Sequence, residues 1–496
     1  MPRLIVSSPA IVGTSGSDLV VGQEDNAFPA IGIEVLKNGV IDTQGGNDTT
    51  LGSGTGGDDF NITGTGIANS GIINAGTGDD TISGTGTGGT GGNDYSTSGG
   101  TGTGIANSGI INAGTGDDTI SGTGTGGTGY RGYTRPGIGI SNTQGGYING
   151  GDGKDSIFAT GKGGDDLNED FNSATGINNT QHSRIDGGFG DDEISGTGIG
   201  VRYGPSTGIS NTKGSNINGG EGNDSISGTA TGGFAYTGEG TGIFNSGGSV
   251  ISGGKGNDFI TGIGKGNDAH LDPANSVNAN RGIGISNSEG STISGGQGND
   301  FISGTGTGGK GTGKILYGEL GPGVGIGIIN SGTISLGDGN DTIIGTGISL
   351  GTGILNTNGI ICGGAGDDTL TGYGAKIGIQ GGTIDGGNGN DYFKARRIDD
   401  NGNPISDQGG AIADVVIKGG SGADTFDVGY GNATIDGGSG WDKLILPDIK
   451  SDYTILGSSN NYTIKRDEFT LNVLNVEDIV FLGAAPQSTV LGIPHQ

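Results

Sequence analysis

Cysteine, tryptophan and long apolar runs are nearly absent from this chain. A single cysteine, Cys362, excludes an internal disulfide framework. Only 29% of the residues are apolar, too few for one large globular core. No apolar stretch approaches the length of a membrane-spanning helix, so we expect no membrane insertion. Residues 1–6 also lack the apolar segment that begins a cleavable signal peptide.

Basic residues are scarce as well, at 23 Lys and Arg against 52 Asp and Glu, and the formal net charge is -29. A chain this acidic has no electrostatic attraction to nucleic acid, so we expect no such partner. The H-E-x-x-H and phosphate-loop motifs do not occur. One G-x-S-x-G match, at residues 347–351, lies between repeats and outside the strand–turn–helix context that this motif needs. The sequence therefore predicts a protein that is not an enzyme.

Glycine, in contrast, supplies 122 of the 496 residues and recurs in a fixed motif. The pattern I-x-G-G-x-G-[ND]-D-x-I appears about a dozen times, and IDGGFGDDEI at residues 185–194 is one copy. Glycine without a three-residue period excludes collagen, and the regular return of isoleucine argues against disorder. Self-similarity of this kind is typical of an architecture in which each repeat packs on its neighbours.

Three apolar columns emerge when the repeats are aligned. One precedes the glycine turn, one follows the aspartate by two residues, and the third belongs to a T-G-I-x-N element. Isolated branched residues between turns suit short strands. The shortest repeat, from Asp368 to Asp391, indicates a coil of about 23 residues. We therefore predict an all-β fold: a right-handed parallel β-helix or β-roll solenoid of about eleven coils. Each coil would hold three short strands, with variable loops at one corner that begin near residue 84.

Asparagine forms a fourth column, at the end of the T-G-I-x-N element. Stacked amide side chains can hydrogen-bond along the axis of a solenoid, as they do in cross-β stacks. We interpret this column as structural. Its predicted members are Asn69, Asn107, Asn142, Asn178, Asn211, Asn245, Asn287, Asn330 and Asn356.

The glycine turn presents an aspartate and free carbonyl oxygens, which are the donors that calcium prefers. Stacked coils would place successive aspartates about 5 Å apart, where one pair costs about 3 kcal/mol at an effective dielectric constant of 20. Calcium would offset this repulsion, so folding and metal binding should be coupled. The copies at Asp48 and Ala433 are degenerate. The candidate calcium ligands are Asp80, Asp118, Asp155, Asp192, Asp224, Asp258, Asp300, Asp341, Asp368, Asp391, Asp424 and Asp442.

The core G-G-x-G-x-D-x-U-x resembles the RTX, or haemolysin-type, calcium-binding repeat. Residues 187–194, 219–226 and 295–302 match it. The resemblance implies that the aspartates bind calcium together with backbone carbonyl groups. The tail after residue 446 is similar to the β-rich caps that carry an uncleaved type I secretion signal. The resemblance therefore implies an extracellular or cell-surface protein, secreted without a cleavable amino-terminal signal.

The repeats also divide the chain. We predict an amino-terminal cap with a degenerate repeat at 1–60 and a long-period solenoid at 61–395. An RTX-like β-roll would follow at 396–445, and a carboxy-terminal β cap with the secretion signal at 446–496. Most copies depart from the family pattern, because a second element and a loop separate them.

The expected function is that of a secreted, calcium-binding structural protein of the cell surface or extracellular matrix, which folds and assembles with itself on binding calcium. The alternative is an adhesin-like module that binds polysaccharide, or ice, through one solenoid face. Threonine-rich loops at 122–125 and aromatic insertions at Tyr130, Tyr133 and Tyr236 would then make the contacts. A polysaccharide-modifying enzyme is a third hypothesis, against which the lack of a domain outside the repeats argues.

Overall fold

The structure is a computed structural model, and the regular secondary structure of its described residues is almost entirely β-strand. It contains one turn of 3-10 helix in the part that it describes, Lys450–Asp452. None of the described residues forms a helix that is long and apolar enough to cross a membrane. The described residues are 2–57, 61–91, 99–129, 136–164, 171–202, 204–233, 238–268, 270–271, 276–277, 279–311, 314–315, 318–319 and 322–483.

Each coil contributes three strands, and equivalent strands of successive coils pair in parallel and in register. The strands therefore form three ladders, which are named here in chain order. The first ladder consists of Leu4–Val6, Ala30–Val35, Gly64–Asn69, Gly102–Asn107, Gly137–Asn142, Ala174–Asn179, Ser206–Asn211, Gly240–Asn245, Gly282–Asn287, Gly325–Asn330, Thr352–Asn356, Ile377–Gln380 and the beginning of Gly409–Gly422.

In the chain order of each coil, the strand of the second ladder follows that of the first ladder and precedes the glycine turn. The second ladder consists of Ile11–Val12, Val40–Asp42, Ile72–Thr77, Ile110–Thr115, Tyr147–Asp152, Arg184–Phe189, Asn216–Glu221, Val250–Lys255, Thr292–Gln297, Thr333–Asp338, Ile360–Ala365, Thr383–Asn388, the end of Gly409–Gly422, Tyr430–Gly440 and Phe469–Leu474.

The third ladder follows the glycine turns and has fifteen strands among the described residues. This is more than the eleven or so coils that were predicted, because the terminal coils have largely lost the glycine motif. Its strands are Leu19–Ala27, Thr49–Gly56, Thr81–Thr87, Thr119–Thr125, Ser156–Lys162, Glu193–Ile199, Ser225–Thr231, Phe259–Lys265, Phe301–Thr307, Thr342–Ile348, Thr369–Gly374, Tyr392–Arg397, Thr425–Asp427, Lys443–Leu446 and Asp478–Phe481.

The core is a column of branched side chains that runs along the solenoid axis. Ile177 of the first ladder, Ile185 of the second and Ile194 of the third are each at most 1% exposed. Buried and outward positions alternate strictly along Glu193–Ile199, as in a pleated strand, whereas Ala174–Asn179 and Arg184–Phe189 each contain adjacent buried residues. Full burial of one isoleucine is worth about 1.5–3 kcal/mol, and every coil repeats it three times. The predicted three-stranded β-solenoid is therefore confirmed.

The variable insertions lie between the third strand of one coil and the first strand of the next, at the predicted corner. Only residues 375 and 376 separate Thr369–Gly374 from Ile377–Gln380, whereas residues 308–324 separate Phe301–Thr307 from Gly325–Asn330. The expected start of these loops near residue 84 is wrong, because Thr81–Thr87 is a strand. Its glycines point inwards, where a Cβ on Gly84 would collide with the carbonyl oxygen of Gly104.

Short antiparallel pairs accompany the ladders. Three of them lie in the insertions: Phe171–Asn172 with Val201–Arg202, His270–Leu271 with Ser276–Val277, and Lys314–Ile315 with Gly318–Glu319. At the carboxy-terminal end, Thr454–Ser458, Asn461–Arg466 and Phe469–Leu474 form an antiparallel meander, and its last strand also pairs with Tyr430–Gly440.

Candidate metal-binding turns

A glycine turn joins the second strand of each coil to the third. In the turn before Asp192, Gly188 and Gly190 have φ values of 122° and 121°. Residues other than glycine rarely adopt this backbone conformation, and a Cβ at either position would also collide with the backbone of the preceding coil. These two glycines therefore let successive turns stack directly on one another.

The aspartate that ends each turn is buried, and its side chain accepts a hydrogen bond from a main-chain N–H of the preceding coil. Oδ1 of Asp192 accepts the main-chain N–H of Asp155 at 2.7 Å, and the N–H of Asp192 donates to Oδ1 of Asp224 at 2.8 Å. The same bond links all twelve predicted aspartates into one line, and each of them is at most 4% exposed. They are Asp80, Asp118, Asp155, Asp192, Asp224, Asp258, Asp300, Asp341, Asp368, Asp391, Asp424 and Asp442.

The second carboxylate oxygen of each of these aspartates has no hydrogen-bond partner. Oδ2 is buried and unpartnered in all twelve, and also in Asp48. Burying a polar atom without a partner costs roughly 1–3 kcal/mol. Because most buried polar atoms in proteins are satisfied, a repeated exception indicates a ligand or a proton that completes the site.

The first glycine of the motif lets this oxygen and the backbone of the next coil approach closely. A Cβ on Gly187 would lie 2.5 Å from Oδ2 of Asp192 and closer still to the carbonyl oxygen of Gly219 in the next coil. A carboxylate oxygen and a carbonyl oxygen from successive coils therefore both lie against this glycine, where a side chain would collide with them. Glycine occupies this position in nine of the twelve copies. The other three carry Ala75, Ala113 and Leu336.

The donors at these turns suit a hard cation. Nowhere in the described residues do three or more Asp, Glu, His or Cys side chains gather into a metal-binding group. A cation at a turn would therefore use one carboxylate of its coil and complete its shell with main-chain carbonyl groups and water. Calcium accepts such an all-oxygen set, whereas zinc prefers Cys and His.

Burial raises the pKa of these carboxyl groups. The pKa of Asp192 rises to about 7, mainly because the group is buried; the hydrogen bond to the N–H of Asp155 opposes the rise, and the neighbouring carboxylates add to it. Burial raises the pKa of Asp118, Asp258, Asp300, Asp368 and Asp424 to about 7 and of Asp155, Asp224 and Asp391 to about 6, and it also raises those of Asp80, Asp341 and Asp442. Each site favours a bound proton or cation over a bare negative charge.

A second, exposed ladder of side chains was missed by the sequence analysis. Oδ1 of Asp191 accepts the main-chain N–H of Asn223 at 2.7 Å, and Oδ1 of Asn223 accepts that of Asn257 at 2.9 Å. These bonds run in the opposite direction to those of the buried aspartates. The available signal was that nine of the twelve copies carry Asn or Asp at this motif position, because both supply a short side-chain acceptor.

The line of buried aspartates also extends beyond the predicted residues. Asp48 keeps the geometry, since its Oδ1 accepts the N–H of Asp18 at 2.7 Å. At the other end, the N–H of Asp442 donates to Oε2 of Glu477 at 2.8 Å. Glu477 stands two residues before Ile479, the offset at which the aspartates precede their isoleucines. Ala433 lies inside Tyr430–Gly440, where it pairs with Leu471.

The asparagine column is a fully bonded ladder. Nδ2 of Asn142 donates to Oδ1 of Asn179 at 2.9 Å, and Nδ2 of Asn179 donates to Oδ1 of Asn211 at 2.9 Å. The predicted member Asn178 was wrong, because the register pairs Asn178 with Ser210 and places Asn179 opposite Asn211. The other predicted asparagines occupy the ladder and are at most 1% exposed. A structural role is the simplest account of the bonding.

The residues proposed for adhesion are only partly described. Residues 122–125 belong to the strand Thr119–Thr125 and not to a loop, which corrects the prediction. Tyr130, Tyr133 and Tyr236 lie outside the described residues.

No protein-family model matches the chain, and no curated protein matches it either.

Proposed function

We propose that this chain is a secreted, calcium-binding structural protein of the cell surface or extracellular matrix. The observation that supports this function best is the line of buried, unpartnered Oδ2 atoms along one corner of the solenoid. Each needs a positive partner, and the first glycine of the motif brings a carbonyl oxygen of the next coil close to Oδ2.

Calcium would act as a tie between coils. A cation that contacts Oδ2 of Asp192 and the carbonyl oxygen of Gly219 would join two coils that otherwise meet through ladder hydrogen bonds. Repeated at each turn, such contacts would oppose bending and twisting of the rod. The protein would then be weakly folded where calcium is scarce and rigid in a calcium-rich medium.

Secretion and assembly on calcium binding belong to the same proposal. The RTX-like motif supports both, because coupling between calcium and folding would keep the chain unfolded before export. Extended parallel ladders offer the repetitive surface that a lattice or filament needs.

The test is a calcium titration of chelator-treated protein, followed by circular dichroism and light scattering, with magnesium as the comparison ion. We expect β-signal to rise cooperatively with calcium, with scattering growing in parallel. A chain already fully folded in chelator, with unchanged thermal stability after calcium addition, would contradict metal binding. Folding without growth in scattering would contradict assembly alone.

A further inference from the structure

A groove of about 710 Å³ runs along the outer face of the second ladder, on the opposite side of the strands from the isoleucine core. Its floor is a column of glycines, one from each of five successive coils: Gly151, Gly188, Gly220, Gly254 and Gly296. At a strand spacing of about 4.8 Å, five coils make a groove roughly 20 Å long. The bare floor leaves main-chain atoms accessible along this length.

Two aromatic side chains stand at one end of the groove. Phe189 is 57% exposed, although nothing in the core requires an apolar residue at this outward position. Tyr147 lines the neighbouring coil, and the guanidinium group of Arg184 lies over its ring, 5.6 Å from the centroid. Aromatic faces in an open groove favour a ligand with flat apolar patches of its own.

The polar groups beside Tyr147 are held in place, whereas Phe189 lies on the opposite wall, in register with Asp152 and Glu221. Asp186 is only 8% exposed, and its carboxylate pairs with Arg184 and accepts hydrogen bonds from Nδ2 of Asn218 at 2.7 Å and from the hydroxyl of Tyr147 at 3.4 Å. Asn149 and Asn218 supply amides on the same wall. Such a fixed network presents donors and acceptors without a further cost in side-chain order.

The opposite wall is exposed and of mixed charge. It carries Asp152, the ion pair between Glu221 and Lys255, and Gln297. Together with Asp186 and Arg184 of the first wall, the groove holds three carboxylates and two cationic groups. Its net charge is therefore negative, and it does not attract a polyanion. The wall instead offers side chains that bond hydroxyl groups.

We propose that this groove binds a neutral oligosaccharide that lies along the solenoid axis. A sugar chain combines apolar ring faces, which would stack on Tyr147 and Phe189, with hydroxyl groups, which would bond Asp186, Asn149 and Gln297. Its extended shape matches a groove that crosses five coils. This inference is independent of the metal at the turns, beyond the need for a folded solenoid, and it places carbohydrate contacts on a strand face and not in the loops.

The test is isothermal titration of the calcium-treated full chain with a panel of hexasaccharides. The neutral probes are β-1,4-linked glucose, mannose and N-acetylglucosamine and α-1,4-linked glucose, and the anionic probes are mannuronate and galacturonate oligomers. We expect at least one neutral hexasaccharide to bind and the matching disaccharide to bind more weakly. Absence of binding by every neutral probe, or tighter binding of an anionic one, would overturn the proposal.

Variants locate the site. Phe189→Ala and Tyr147→Ala should each weaken binding by about tenfold. The control is Phe158→Ala, because Phe158 is also exposed, at 44%, but stands on the third ladder. Circular dichroism checks that each variant is folded. Tyr147→Phe tests whether the hydroxyl of Tyr147 contributes to affinity, with little change in packing. Equal affinity of the Phe189→Ala and Phe158→Ala proteins would place the ligand elsewhere.

Discussion

The main-chain N–H of Asp192 donates to Oδ1 of Asp224 at 2.8 Å, and Oδ2 of Asp224 is buried without a partner. The neighbouring asparagine ladder differs in this respect: Asn179 bonds Asn211, and its Nδ2 also donates to the carbonyl oxygens of Ser183 and Asn216. Both ladders join coil to coil, but only the aspartates leave one atom for a further ligand. That difference separates a structural column from a candidate binding column.

The first prediction concerns how many turns bind calcium. Nine of the twelve aspartates lie against a glycine at the first motif position, whereas Ala75, Ala113 and Leu336 stand there in the others. We expect Gly187→Ala to remove one calcium from the stoichiometry, because its Cβ would collide with Oδ2 of Asp192 and with the carbonyl oxygen of Gly219, the two proposed ligands. Ala113→Gly should add one. Equilibrium dialysis with metal analysis measures both.

Gly187→Ala requires a small shift of Asp192 and of the Gly219 backbone, but Gly187 does not have a positive φ and alanine already stands at this position in two copies. We therefore expect the variant to fold, and circular dichroism checks this. Gly188→Ala is the contrasting change: its φ of 122° makes the turn itself unfavourable. An unchanged calcium count in both Gly187→Ala and Ala113→Gly would show that the first glycine of the motif has no part in binding.

The second prediction concerns pH. Burial raises the pKa of Asp192 and Asp258 to about 7, above the ordinary value of 3.8 that applies in the unfolded chain. Protonation therefore stabilises the metal-free fold fully below about pH 4, and this contribution is lost as pH rises through 6 to 7. In chelator, we expect the melting temperature to fall between pH 4 and pH 8. Calcium replaces the proton, so the fall should shrink in its presence.

Thermal melts followed by circular dichroism, in matched buffers with chelator or with calcium, measure this dependence. Asp192→Asn provides the control, because the amide does not titrate and should flatten the pH dependence slightly in chelator. A metal-free protein that becomes more stable from pH 4 to pH 8 would rule out the proposed protonation of the turns.

The repeated motif made the architecture predictable. Isoleucine returns at the same offset from every glycine turn, and only a coil with three inward positions can bury Ile177, Ile185 and Ile194 together. The candidate carboxylates followed from the same period. Because stacked coils bring equivalent residues together, a column in the alignment becomes a line in space.

Finer features were not predictable from the motif. The sequence Ile177-Asn178-Asn179 offers two asparagines, and only the register of the ladder decides that Asn179 is buried. The alternating glycines and threonines of Thr81–Thr87 resemble a loop in composition, yet the glycines permit close approach of the first ladder. Composition does not reveal that interior contact.

The third prediction tests the asparagine ladder. Asn179→Ala removes bonds to Asn142 and Asn211 and leaves their polar atoms buried, so we expect a loss of about 1–3 kcal/mol in the free energy of unfolding. Asn178→Ala changes an identical residue one position away, on the outward side of the same strand. That control should stay within about 0.5 kcal/mol of the parent protein. Urea unfolding measures both, and equal losses would contradict a special role for the buried column.

The last prediction concerns the end of the aspartate line. Glu477 accepts the main-chain N–H of Asp442 at 2.8 Å and Nδ2 of Asn460 at 2.6 Å, and so connects the last turn to the carboxy-terminal meander. Glu477→Ala leaves the N–H of Asp442 without this acceptor. We expect local opening of the meander and faster hydrogen exchange at Asp442, with protection at Asp192 unchanged.

The matched control for this variant is Glu468→Ala, which removes an exposed carboxylate from the same meander. Hydrogen exchange followed by mass spectrometry, in calcium, compares the two proteins segment by segment. If Glu477→Ala accelerates exchange throughout the solenoid, the ladder unfolds as one cooperative unit and Glu477 is more than a local cap. Equal exchange at Asp442 in the two variants would instead show that the stacked turn holds this N–H without help from the cap.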